Sequence, residues 1–106
     1  MTLPVIIEDE ARANIIEAAH WWAKHHDQRQ AERWYDGILA AIGTLSENPG
    51  RFVLARENSQ SVDELRELHF GLGSRPTHRV IYVIDPDAVR VLAVRHAAQD
   101  DGEPTS

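Results

Sequence analysis

The sequence predicts an α+β fold: an antiparallel helical hairpin packed on a mainly antiparallel four-stranded sheet, in the order β-α-α-β-β-β. Three observations carry this. Residues 8–47 hold two consecutive apolar stripes at spacings of three and four. Residues 65–96 hold three strand-like segments parted by turn residues. The strands follow the helical pair and do not alternate with helices, which favours antiparallel pairing.

The elements follow in order. Leu3-Pro4-Val5-Ile6-Ile7 lacks a basic leader and runs straight into Glu8-Asp9-Glu10, so it reads as a first strand and not a signal peptide. Ala11, Ile15, Ala18, Ala19 and Trp22 make the stripe of the first helix. Ala31, Trp34, Ile38, Ala41, Ile42 and Leu45 make that of the second. Between them Asp27 is a good N-cap, and Gln30 three residues later completes a capping-box pattern. The break is short, so the helices should lie antiparallel. Asn48-Pro49-Gly50 ends the second helix. Residues 51–63 are polar without a period and read as loop. In the strand at 65–70, Leu68 and Phe70 share one face, and Glu67 and His69 the other. The segments at 77–84 and 89–96 are joined by the turn Asp85-Pro86-Asp87. Their near-continuous apolar runs make them central strands. The first strand pairs beside one of the later ones, and the sequence leaves open which.

The totals bound the function. A chain of 106 residues, 42 % hydrophobic, supports one domain with a modest core, at 1–100, followed by a disordered acidic tail at 101–106. Without cysteine, thiolate metal sites and cysteine nucleophiles are excluded. No apolar run is long enough to span a bilayer. A net charge of −6 argues against a general nucleic-acid binder. Residues 51–96, with seven arginines against six acids, leave room for a local basic site.

Three stretches then carry a family resemblance. They are Glu64-Leu65-Arg66-Glu67-Leu68, His78-Arg79-Val80-Ile81-Tyr82-Val83-Ile84-Asp85, and Val91-Leu92-Ala93-Val94-Arg95-His96-Ala97-Ala98-Gln99-Asp100. Together with the hairpin closed by Asn48-Pro49, their order and spacing resemble the RelE/ParE toxin superfamily, which includes plasmid stabilisation proteins. The resemblance covers nearly the whole chain. It implies a cytoplasmic toxin without a cofactor, held by a cognate antitoxin in a hetero-oligomer. Its growth-inhibiting target would be DNA gyrase, bound at a surface, for a ParE-like member. It would be ribosome-bound mRNA, cut without metal, for a RelE- or YoeB-like endoribonuclease. A degenerate member would keep only antitoxin binding. The sequence departs from the family in two motifs, and its connection Gly71-Leu72-Gly73-Ser74-Arg75-Pro76 is longer than the usual one. His78-Arg79 replaces the usual Tyr-Arg opening, as in YoeB-like RNases. Ala97-Ala98-Gln99 stands where many members carry Gly-Arg-Arg. That second change removes two basic side chains, and with the acidic balance it points toward a binding toxin.

On the RNase reading the candidate catalytic residues are Arg79, His78, His96 and Arg66. A planar guanidinium suits a scissile phosphate; equally, Arg79 can be tied by an ion pair to Glu64, Glu67 or the tail acids. His78 and His96 suit proton transfer near neutrality; equally, they are half-exposed residues at strand ends. Arg66 with Glu64 resembles a catalytic pair of some members; equally, it is an ordinary cross-strand ion pair. His20, His25 and His26 lack the i, i+4 spacing of a helical metal site, and histidines near a helix C-terminus are favoured by the dipole. Trp22 and Trp34 fall on the apolar stripes. Trp21 sits about 100° from Trp22 and edges the hairpin, where it packs at the rim or marks a protein contact.

Overall fold

Asp27 starts the second helix as the capping pattern requires. In the computed structural model, which describes residues 2–98, its carboxylate accepts a hydrogen bond from the Gln30 N–H at 2.7 Å. The expected tail at 101–106 and the Gln99-Asp100 pair lie outside the described residues. Helix α1 spans Asp9–His25 and α2 spans Gln28–Gly43. At the end of α1 the His26 N–H donates to the Trp22 carbonyl, and His25 Nδ1 to that of Trp21. The second helix stops short of the expected end. Thr44 donates its hydroxyl to the Ala41 carbonyl at 2.6 Å, and the chain tightens into a 3-10 turn at Thr44–Ser46 that still delivers Leu45 to the core. Asn48 then adopts φ 51°, a left-handed conformation that asparagine tolerates, and reverses the chain before Pro49.

The sheet holds β1 (Val5–Ile7), β2 (Arg66–Phe70), β3 (His78–Ile84) and β4 (Val89–His96) in the order β1-β4-β3-β2. The pairing that sequence left open is thus β1 on β4, parallel; the other two pairs are antiparallel. Because β1 is three residues long, α1 takes over along the edge of β4. The Glu8 N–H donates to the Val91 carbonyl, and Asn14 Oδ1 accepts the Val94 N–H, both at 2.9 Å. A strand edge that would otherwise stay unpaired is closed by a helix side chain.

The two faces of the sheet differ. One packs on the helices, with Ala11, Ile15, Trp34, Ile38, Ile42 and Leu45 against Leu68, Val80, Tyr82, Val89, Val91 and Val94. A β-bulge opposite Ile81/Tyr82 makes Leu92 the extra residue, since Ile81 pairs with Ala93 and Tyr82 with Val91. The second face buries Ile81 and Val83 under Ala55 and Leu65. The polar stretch read as loop therefore has a structural task. It carries a 3-10 helix at Arg56–Gln60, and its residues 53–55 pair with the outer edge of β2 through Ala55 N–H to Leu65 O (2.8 Å) and Glu67 N–H to Val53 O (3.0 Å).

Candidate functional site

Alternation along β3 divides the candidate residues between the two faces. Arg79 points with Ile81 and Val83 to the second face, where it has no exposed surface. Its Nη1 donates to Glu67 Oε1 at 2.7 Å and to Glu57 Oε1 at 3.2 Å, and its Nη2 to Glu57 Oε2 at 3.0 Å. Arg95 stands 3.7 Å from the same Glu57, and His69 bonds Glu67. Burial acts to destabilise these charges, but the contacts outweigh it. Burial works to raise the Glu57 and Glu67 carboxyls, yet the partnered Arg79 (and His69, for Glu67) holds both below the usual carboxylate range. Burial likewise opposes the Arg79 charge, yet the two carboxylates raise its pKa above the ordinary value. The ion pair expected to Glu67 is present. Glu57 comes from the stretch without a period, and no sequence signal singled it out.

The two histidines lie on the helix face, paired in register at the end of the sheet. Their rings meet edge to face at 5.2 Å, and His78 also meets Trp34 at 4.9 Å. The expectation of two half-exposed histidines fails for His78. It is buried, 8 % exposed, because Trp34 of α2 closes over it, while His96 stays exposed. Burial, assisted by His96, pushes the His78 pKa down to about 4, so its ring is neutral at physiological pH. Its Nδ1 lies 2.8 Å from the Thr77 hydroxyl. Both rings line a cavity of about 310 Å³ shared with Ala18, Trp21, Trp22 and Thr77.

Arg66 is remote from both groups. It pairs in register with Tyr82, four residues along β2 from Phe70, the partner of His78, or about 13 Å at strand spacing. Its Nη1 donates to the Phe52 carbonyl, and its Nη2 stands 3.6 Å from Glu64, a near neighbour in the chain and not a cross-strand partner. Tyr82 donates its hydroxyl to the Pro49 carbonyl at 2.6 Å, and burial raises its pKa to about 12. The structure brings His78 and His96 together and leaves Arg79 and Arg66 apart from them. Among the described residues no group of three or more acids and histidines is arranged to hold a metal. His25 instead stacks on Trp21 at 4.5 Å and His26 lies against Trp22 at 4.8 Å. Of the tryptophans, Trp34 is fully buried, Trp22 half-buried, and Trp21 exposed at 49 %. Among the described residues no helix is long and apolar enough to cross a membrane.

Comparison with known proteins places this arrangement. No curated protein matches the chain by sequence. A solved structure described as the chromosomal ParDE TA system from P. aeruginosa superposes with a TM-score of 0.71 at 12 % identity, covering 90 % of this chain and 96 % of that one. At that identity the likeness is one of fold. The YoeB dimer from Staphylococcus aureus gives a TM-score of 0.42 at 10 % identity, over 90 % and 97 % of the two chains. The family described as the ParE toxin of the type II toxin–antitoxin system, parDE, matches residues 5–101, nearly the full length. The chain belongs to the ParE toxin family of type II toxin–antitoxin systems.

Proposed function

We propose that the protein is a growth-inhibiting toxin neutralised by a cognate antitoxin, and that it acts by binding a large target, DNA gyrase, without cutting RNA. The observation that carries this reading is the state of Arg79. A guanidinium that must receive a scissile phosphate needs open donors on an accessible face. Here it is buried and held by Glu57 and Glu67. The Ala97-Ala98 end of β4, without the basic pair of many relatives, supports the same reading. So does the long helical hairpin, a rigid surface for a macromolecular partner. The antitoxin reading draws on the family and on the described ParDE system; toxin and antitoxin would form a hetero-oligomer in the cytoplasm.

One observation favours the RNase reading: His78 and His96 face each other beside a cavity. A histidine held neutral down to about pH 4 is a poor proton donor near neutrality, which weakens it.

The test replaces the whole buried network by apolar residues, as Arg79→Met with Glu57→Leu and Glu67→Met. Exchanging a buried ion-pair cluster for apolar residues of similar volume is near neutral for folding or better. The triple variant, expressed without antitoxin in a sensitive host, is expected to arrest growth like the parent. Loss of arrest in a folded triple variant, with ribosome-bound mRNA cleaved by the parent and not by the variant, would establish Arg79 as catalytic and overturn the binding reading. A parent chain that arrests nothing would mark a member that keeps antitoxin binding alone.

A further inference from the structure

The cavity between the end of α1 and the paired strand ends has the chemistry of a ligand site. Trp21 and Trp22 wall it from the helix, and Thr77, His78 and His96 from the sheet, with Ala18 as the one small side chain. The tryptophan rings meet edge to face at 5.4 Å and are backed by His25 and His26. The lining is therefore aromatic and largely apolar. Its polar groups are the Thr77 hydroxyl and two imidazoles on the sheet side and the indole N–H groups on the helix side, that of Trp22 buried and without a hydrogen-bond partner among the described residues. At about 310 Å³ it lies at the small end of the range for small-molecule sites.

His78 supplies the specificity. Nδ1 is engaged by Thr77, and no described residue bonds Nε2. A neutral imidazole fixed in this way keeps a single nitrogen for a further hydrogen bond, as donor or acceptor according to tautomer, and His78 lines the cavity. A phenolic hydroxyl serves either case, because it both donates and accepts. The surrounding rings favour a flat aromatic body in edge-to-face or offset contact. Charged ligands are disfavoured, since a neutral His78 offers no counter-ion and burial keeps it neutral.

We propose that this cavity binds one phenolic ring, with its hydroxyl on His78 and its face against Trp21 and Trp22. The ring can come from a tyrosine side chain of a partner polypeptide or from a free small phenol. The chemistry is shared, and the probes below separate the sources.

The experiment titrates the labelled full chain with p-cresol, toluene and N-acetyl-tyrosinamide, following the amide and imidazole resonances of Thr77, His78 and His96 by NMR. Saturable shifts at these residues are expected with p-cresol, and binding about tenfold weaker with toluene, which lacks the hydroxyl. His78→Phe should erase the preference for p-cresol over toluene. Ala18→Leu should block binding by filling the cavity. Trp21→Ala, at an exposed position that leaves the core intact, should weaken it several-fold. Tighter binding of N-acetyl-tyrosinamide than of p-cresol assigns the ring to a polypeptide side chain; the reverse order assigns it to a small molecule. Absence of saturable shifts at these residues, equal affinity for p-cresol and toluene, or full binding by a folded Trp21→Ala variant overturns the proposal.

Discussion

Arg79 holds a full charge where water does not reach, so its partners decide whether the fold tolerates it. Removing the guanidinium alone, as Arg79→Ala, leaves Glu57 and Glu67 facing each other in a partly desolvated site. The expected loss is about 3–5 kcal/mol, read as a lower midpoint in urea unfolding. His78 makes a second residue-scale prediction, in pH. Its folded pKa of about 4 lies below the ordinary histidine value of 6.5 expected when unfolded. Between those values the unfolded chain binds more protons. Its contribution is therefore complete above pH 6.5 and is lost as pH falls toward 4. Well below that window the loss approaches a few kcal/mol, at about 1.4 kcal/mol per tenfold change in proton affinity. The lowered Glu57 and Glu67 pKa values add a further loss at more acid pH, because their contributions are present above 4.5 and fade below it. In His78→Phe, a stability-against-pH curve should be flat between pH 6.5 and 5 where the parent's falls. A parent curve that is itself flat there would contradict the buried neutral ring. Sequence made the alternation legible: Arg79 shares a face with Ile81 and Val83, as the two-residue period requires. Burial was not legible, because it depends on Trp34 from one helix and Glu57 from a stretch without period.

At the scale of elements, the local signals written in the sequence are those that formed. Asp27 caps α2, and Asp27→Ala should destabilise by about 1 kcal/mol, checked by thermal unfolding. The hairpin, the turn before Val89 and the three later strands all stand where turn residues and apolar spacing put them. What escaped were the long-range pairings. Asn14 carries no mark in the sequence, because an asparagine in mid-helix more often faces water. Its task exists only because β1 ends early and leaves the Val94 N–H without a strand partner. Asn14→Leu strands that donor and should cost about 1–3 kcal/mol. Hydrogen exchange at Val94 would register the change first, rising ahead of its neighbours in β4. The stretch at 52–65 escaped for a related reason. Its contacts run through backbone pairing with β2 and through single side chains such as Ala55, Glu57 and Leu65, and no repeat announces them.

For the whole molecule, the same sheet serves two separate purposes on its two sides. The helix side provides the main core and, at its end, the aromatic cavity around His78 and His96. The other side is closed by residues 52–65 and the buried charges around Arg79. Neither side gathers Arg79, Arg66 and the histidines into one site. On the proposed reading, inhibition runs through the surface, so the effect should scale with occupancy of the target and not with time. Purified gyrase offers the most direct test. Supercoiling of relaxed plasmid should fall as the protein is added, reach completion near stoichiometric amounts, and be restored by the cognate antitoxin. Supercoiling that is untouched at excess protein, with ribosome-bound mRNA cleaved in a parallel reaction, would contradict the account.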